Sequence, residues 1–138
     1  RVIAAYQQLG FKIVVDPSVN YSGYFDARSR SITMKQIDDS VYHELGHFLA
    51  FIAGNVDKTA SFQSIFAAEK ANVTAFNKAY VTQNASEYFA ESVKDYILNN
   101  ASLKSTRPQT YAAVQNALNQ ITDAQIAKIQ KIYGAFWN

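Results

Sequence analysis

The chain has 138 residues, 49% of them hydrophobic and 17% charged, so it is long and apolar enough to bury a core and is not disordered. Its net charge of +2 comes from scattered lysines and arginines, and no apolar run reaches 18 residues; we therefore expect neither a nucleic-acid partner nor a membrane span. The absence of cysteine excludes disulfide scaffolds, cysteine nucleophiles and cysteine-ligated metals.

The first 40 residues are predicted to form one helix and a small twisted sheet. Apolar periodicity indicates the helix, and short β-branched runs bounded by turn residues indicate the strands. The expected ranges are a helix at 2–9 and strands at 11–15, 21–25 and 31–34.

From residue 40 onward the pattern is helical. The expected helices are 40–53, 59–71, 85–99, 107–119 and 123–134. The predicted fold class is therefore α+β, with a small N-terminal sheet packed on the first of these helices and a mostly helical C-terminal part. No linker or repeat divides the chain, so we expect one domain over residues 1–138, with helix and strands in 1–40 and helices in 41–138.

Both histidines of the chain lie in one string, His43-Glu44-Leu45-Gly46-His47, inside the helix predicted after the sheet. Residues i and i+4 share one face of a helix, so both imidazoles can bind a single Zn²⁺, and Glu44 can take a proton from a water molecule beside it. Gly46 is expected to let another segment approach closely. The alternative is an ordinary helix with two exposed histidines.

Candidate capping residues lie at both ends of this helix. Asp39 or Ser40 is expected to cap its N-terminus, and Gly54 is suited to the position just after its C-terminus.

A catalytic zinc site usually has three protein ligands, so a third is needed. No histidine remains, which leaves a carboxylate or, less often, a tyrosine. Glu87, Glu91 and Asp95 are spaced one helical turn apart, so one could bind the metal while another holds a histidine N–H. Glu91 and Asp95 could be that pair, and Glu87 could simply belong to the cap of an amphipathic helix that begins after Asn84.

Two other carboxylates suit the metal less well. Asp57 follows the histidine helix closely and is expected in a turn, whereas Glu69 stands beside Lys70 and is expected on a solvated face.

The His43–His47 string followed by Glu87-Tyr88-Phe89-Ala90-Glu91-Ser92 resembles the anthrax lethal factor-like zinc metallopeptidases, in particular the bacterial Pro-Pro endopeptidases. The similarity continues over residues 61–70, 103–105 and 108–111, and so runs from about residue 41 to about residue 113. The chain differs from these relatives in having Ser86 rather than an acid before Glu87, and its one tryptophan at Trp137 rather than ahead of the histidine helix.

The resemblance implies the remaining site residues. It implies that one Zn²⁺ is bound by His43, His47 and Glu87, and that Glu91 lies behind these ligands and orients one of them. It also implies that the hydroxyl of Tyr80 faces the oxyanion.

The expected function is that of a zinc-dependent endopeptidase acting on extended peptide or protein substrates, among them proline-rich ones, with Glu44 as the base. A peptide is expected to lie along 31–34 as an edge strand and to contact Ser31, Ile32 and Thr33, with Tyr24 as an aromatic wall. We expect a monomer that is secreted by a bacterium. Because the chain begins at Arg1 and not at a methionine, we expect it to be a trimmed or processed piece of its protein.

Two alternatives remain. One is a catalytically inactive lethal factor-like domain used for protein binding. The other is an unrelated helical interaction domain in which the histidine string arose by chance.

Overall fold

A three-stranded sheet is formed near the N-terminus. The computed structural model describes residues 1–137, and the strands in this range are β1 (Lys12–Val15), β2 (Gly23–Asp26) and β3 (Ser31–Met34). The strand order is β1-β3-β2, with β1 parallel and β2 antiparallel to β3.

Helices make up most of the rest of the chain. Over residues 1–137 they are α1 (Val2–Gln8), α2 (Ser40–Ile52), α3 (Ala60–Glu69), α4 (Lys78–Val81), α5 (Ala85–Leu98), α6 (Asn100–Thr106), α7 (Pro108–Asn119) and α8 (Asp123–Trp137), with 3₁₀ turns at Val56–Lys58 and Lys70–Asn72. The predicted α+β class is confirmed. None of the helices in the described range is long and apolar enough to cross a membrane.

The prediction that residues 31–34 form an edge strand is wrong. β3 is the central strand: its residues pair with β1 on one side and with β2 on the other. The backbone of Ser31, Ile32 and Thr33 is therefore already used in the sheet and cannot pair with a substrate peptide. Ile32 and Met34 are also fully buried. Three short strands of similar composition do not reveal which of them lies in the middle.

The strand β2 is an edge of the sheet. Lys35 N–H donates to the carbonyl of Ser22 at 3.2 Å, which fixes the alternation of the antiparallel ladder. Backbone groups of Gly23 and Phe25 consequently point away from β3. The side chain of Tyr24 on this strand is exposed.

The core joins the sheet and α1 to one face of α2. Phe48 in α2 is fully buried, and its ring centroid lies 4.9 Å from that of Tyr6 and 5.0 Å from that of Phe11. Leu49 and Ile52 extend the same buried face. Burial of this apolar stripe holds the helix against the N-terminal part of the chain.

The ends of α2 are set by local signals. The N-cap residue is Asp39, one of the two predicted, but its side chain makes no capping hydrogen bond. The backbone N–H of Ser40 donates instead to Oδ1 of Asp38 at 2.9 Å. Gly54 follows the C-terminus with a φ of 81°, a conformation that favours glycine, as predicted.

The opposite face of α2 packs against α5 at very short range. A Cβ atom added to Gly46 would lie 2.6 Å from the carbonyl oxygen and 2.7 Å from the Cα of Ala90. The predicted close approach at Gly46 is confirmed, and the absence of a side chain there is what allows the two helix backbones to meet.

Glu69 is buried, so the prediction of a solvated face is wrong. Its carboxylate accepts hydrogen bonds from the backbone N–H groups of Gln109 at 3.1 Å and Thr110 at 2.8 Å, and from the Thr110 hydroxyl at 2.7 Å. These donors belong to the first turn of α7, whose N–H groups have no partner inside the helix. The neighbouring Lys70 begins a 3₁₀ turn, and it does not share the environment of Glu69.

We expect Gly46→Ala to lower the free energy of unfolding by about 1–3 kcal/mol, because the added methyl group overlaps the Ala90 backbone. Its gain in helix propensity, roughly 1 kcal/mol, offsets only part of this loss. Urea denaturation followed by circular dichroism measures the difference.

The matched control is Gly134→Ala in α8, where the new Cβ meets only the flexible end of Gln130 at 3.0 Å. This variant should be as stable as the wild type or more so. Equal stability of the two variants would contradict the role given to Gly46.

Candidate metal centre and active site

Two helices bring three metal-binding side chains together. His43 and His47 lie on α2, and Glu87 lies in the first turn of α5. Oε1 of Glu87 is 3.0 Å from Nε2 of His43 and 2.7 Å from Nε2 of His47. The three candidate ligand atoms all lie within 4.8 Å of one another. Two imidazole nitrogens and one carboxylate oxygen form a donor set typical of catalytic zinc.

The electrostatics of this cluster favour a cation. Hydrogen bonds with His43 and His47 hold the pKa of Glu87 well below its usual range, so this side chain is a carboxylate. Burial lowers the pKa of His43, but hydrogen bonds with Glu87 and Glu91 outweigh it and raise the pKa to about 9. A positive charge is thus stabilised between the carboxylates, and the cluster fits a divalent metal ion.

The position of Glu87 follows from the start of α5. Oδ1 of Asn84 accepts a hydrogen bond from the backbone N–H of Glu87 at 2.8 Å and caps the helix. Glu87 can therefore be both a residue of the helix cap and a metal ligand, because its backbone N–H belongs to the cap while its side chain reaches the histidines.

Glu91 and Asp95 continue the same helix but have different partners. Oε1 of Glu91 lies 2.9 Å from Nδ1 of His43, on the side of the ring opposite to Glu87. Asp95 instead accepts a hydrogen bond from Nη2 of Arg107 at 2.6 Å. The structure therefore does not support the alternative in which Glu91 is the metal ligand and Asp95 its supporting residue, because Asp95 contacts Arg107 and not a histidine.

Glu44 is buried between α2 and β2. Burial raises the pKa of Glu44, whereas the neighbouring His43 and His47 and the backbone N–H of Phe25 act in the opposite direction. A carboxylate with a raised pKa is a better proton acceptor than an ordinary surface glutamate.

The close approach of β2 to Glu44 depends on Gly23. A Cβ atom at Gly23 would lie 2.9 Å from Cγ of Glu44 and 2.9 Å from the sulfur of Met34. Gly23 was not among the residues predicted from the sequence, although a glycine inside a predicted strand is a sign of close backbone approach.

Tyr80, in the short helix α4, reaches the cluster from its exposed side. Its hydroxyl donates a hydrogen bond to Oε2 of Glu87 at 3.0 Å, and its ring centroid is 6.2 Å from that of His43. Burial and the charge of Glu87 raise the pKa of Tyr80 to about 12. The hydroxyl is therefore a hydrogen-bond donor at neutral pH.

The predicted substrate-contacting residues do not gather at this cluster as a group. Ser31, Ile32 and Thr33 lie in the central strand. Tyr24 lies on the edge strand with its ring centroid 6.0 Å from that of Tyr21, and its contact with a substrate stays a prediction.

Comparisons with known proteins extend the similarity to the N-terminal side. A family model described as anthrax toxin lethal factor, N- and C-terminal domain, matches residues 18–117, which include β2 and β3 as well as the site. The match thus begins well before residue 41, the start of the resemblance expected from the sequence.

A curated relative is the Pro-Pro endopeptidase of Clostridioides difficile (strain 630), which is 41% identical over 78 residues. The aligned region covers 54% of this chain and 34% of that protein, so the chain spans about a third of the length of the curated relative it matches. Since the family model covers most of the chain, from β2 to α7, the chain belongs to the anthrax toxin lethal factor family and is similar to its peptidases.

Proposed function

We propose that this chain is a zinc-dependent endopeptidase, with residues 1–138 forming one peptidase domain. The observation that carries the proposal is the convergence of His43, His47 and Glu87 beside the buried carboxylate of Glu44. Zinc held by the first three residues would act as a Lewis acid and lower the pKa of a water molecule to about 7.

Glu44 is the proposed general base. Its carboxylate takes a proton from the attacking water and later gives it to the leaving amine of the cleaved peptide bond. The backbone N–H of Phe25 faces this carboxylate and favours its charged form.

Tyr80 and Glu91 have supporting roles in this proposal. The Tyr80 hydroxyl, which stays protonated, donates a hydrogen bond to the negative charge that develops on the scissile carbonyl oxygen. Glu91 accepts the Nδ1–H of His43, which leaves Nε2 of that ring free to bind the metal.

The substrate backbone is proposed to pair with β2. Gly23 and Phe25 direct backbone groups away from β3. The Phe25 N–H faces Glu44, which leaves the Phe25 carbonyl and the backbone groups of Gly23 for a substrate. An extended peptide added at this edge would pass beside the base, and Tyr24 is exposed on the same strand.

The substrate and setting of the enzyme are further parts of the proposal. Protein substrates, including proline-rich ones, are suggested by the name of the curated relative, which refers to bonds between prolines. We also propose that the enzyme acts as a secreted bacterial monomer.

Purified protein is expected to bind one zinc ion, and zinc should raise its melting temperature because the ion binds only the folded arrangement. Glu87→Ala should abolish stoichiometric binding, and Glu91→Ala should weaken zinc affinity by about 10- to 100-fold. Elemental analysis and zinc titration measure both effects.

The control for these variants is Asp123→Ala, since Asp123 is exposed in the first turn of α8. It should bind zinc as the wild type does. Unchanged zinc affinity in Glu87→Ala would remove this residue from the metal centre.

Glu44→Gln should retain zinc and stability but lower kcat by about 10²- to 10⁴-fold, because the amide keeps the shape of the side chain and cannot accept the proton. Cleavage of a synthetic peptide library by zinc-loaded protein, followed by mass spectrometry, provides the assay. Wild-type rates in this variant would rule out Glu44 as the base.

Tyr80→Phe should retain zinc and lower kcat by about 10²- to 10³-fold, with little change in KM, because a transition-state hydrogen bond is lost. The hydrogen bond from Tyr80 to Glu87 is lost as well, but it involves Oε2, whereas Oε1 faces the two histidines. The matched control is Tyr111→Phe, which removes the hydroxyl of a tyrosine whose ring packs on Tyr96. This variant should cleave at the wild-type rate. If the two variants are equally active, Tyr80 has no role in the reaction.

The alternative of an inactive binding domain has its own outcome in these experiments. Wild-type protein that binds one zinc ion and cleaves no peptide of the library would overturn the enzyme proposal and favour that alternative.

A further inference from the structure

A cavity of about 250 Å³ adjoins the candidate metal centre on the side of His47. Its walls come from four elements: Phe25 from β2, His47 and Phe51 from α2, Asp57 from the 3₁₀ turn Val56–Lys58, and Ser86 from α5. Because His47 is shared by the cavity and the metal centre, a substrate held at the centre can place a neighbouring side chain in this cavity.

The carboxylate of Asp57 is the unusual feature of this cavity. Asp57 is only 4% exposed, yet among residues 1–137 no hydrogen bond or ion pair involves its carboxylate. In the same range, Nε of Arg107 is the only fully enclosed side-chain polar atom without a hydrogen-bond partner. The unpaired oxygens of Asp57 are therefore not fully enclosed, and Asp57 is one of the residues that line the cavity. Buried aspartates are normally paired, since an unpaired buried carboxylate is costly.

The charges around the cavity favour a cation as the missing partner. A zinc ion at the adjoining centre would offset the charges of Glu87 and Glu44, so the negative charge that faces the cavity is that of Asp57. The cation at the rim is Lys58, which is exposed and forms no ion pair with Asp57 in the described part of the chain.

The remaining walls suit a long side chain with a cationic end. Phe25 and Phe51 have ring centroids 6.2 Å apart and provide aromatic surface, against which an alkyl stem or a guanidinium group can pack.

We propose that this cavity is a specificity subsite for a positively charged side chain, arginine or lysine, of a substrate residue near the cleaved bond. The head group donates hydrogen bonds to Asp57, and the stem packs against the adjoining rings of Phe25 and Phe51. This inference rests on the proposed peptidase function and adds a substrate preference to it.

The test uses zinc-loaded protein and a synthetic peptide library with the positions around the cleaved bond randomised. Wild-type protein should prefer arginine or lysine at one position. Asp57→Asn should lower kcat/KM for those peptides by roughly 10- to 100-fold, the worth of a hydrogen bond to a charged group, and should leave glutamine- or norleucine-containing peptides unchanged.

Lys58→Gln is a second test that leaves the buried carboxylate in place. Removal of the competing cation at the rim should strengthen the preference for arginine and lysine. An unchanged or weaker preference would contradict the electrostatic argument.

Other outcomes overturn the subsite and separate it from the proposed function. Cleavage by the wild type without a basic preference removes the subsite and leaves the peptidase. An equal loss of activity of Asp57→Asn on all peptides, with zinc retained, means that Asp57 acts on His47 and not on substrate. No cleavage of any peptide by the zinc-loaded wild type overturns the peptidase, and the subsite with it.

Discussion

The contact between Gly46 and Ala90 is the constraint on which the site depends. It brings the backbones of α2 and α5 closer than any side chain would allow. At this spacing Glu87 reaches both histidines, and one turn later Glu91 reaches the far nitrogen of His43. A wider separation of the helices would break all of these contacts together. The packing of α2 on α5 and the geometry of the site therefore both depend on Gly46.

The site also shows how buried charge is balanced in a small protein. Glu44, Glu87 and Glu91 approach the same pair of imidazoles, and two of them are less than 10% exposed. Such a group of carboxylates would repel one another without a positive partner. The raised pKa of His43 and the lowered pKa of Glu87 are two expressions of the same requirement for a cation.

The features that could be predicted from the sequence are those that depend on residues close together in the chain. The i, i+4 histidines, the turn-by-turn carboxylates of α5 and the cap at Asn84 are all short-range, and the α+β class follows from where strand-like and helical segments fall. The order of the strands, the burial of Glu69 and the environment of Asp57 depend on contacts between residues far apart in the chain. The helix α4 was missed because four residues are too few to define a period, and α6 was missed because its one buried side chain is Leu103.

Glu87 lies in the first turn of its helix, held there by the Asn84 cap. Terminal turns are the part of a helix that frays most readily, because their backbone groups have the fewest partners. Opening of this single turn would remove a ligand from the centre without unfolding the rest of the protein. Occupancy of the centre and order of the turn are thus thermodynamically linked, and a bound ion would slow amide hydrogen exchange at the start of α5 more than elsewhere in that helix.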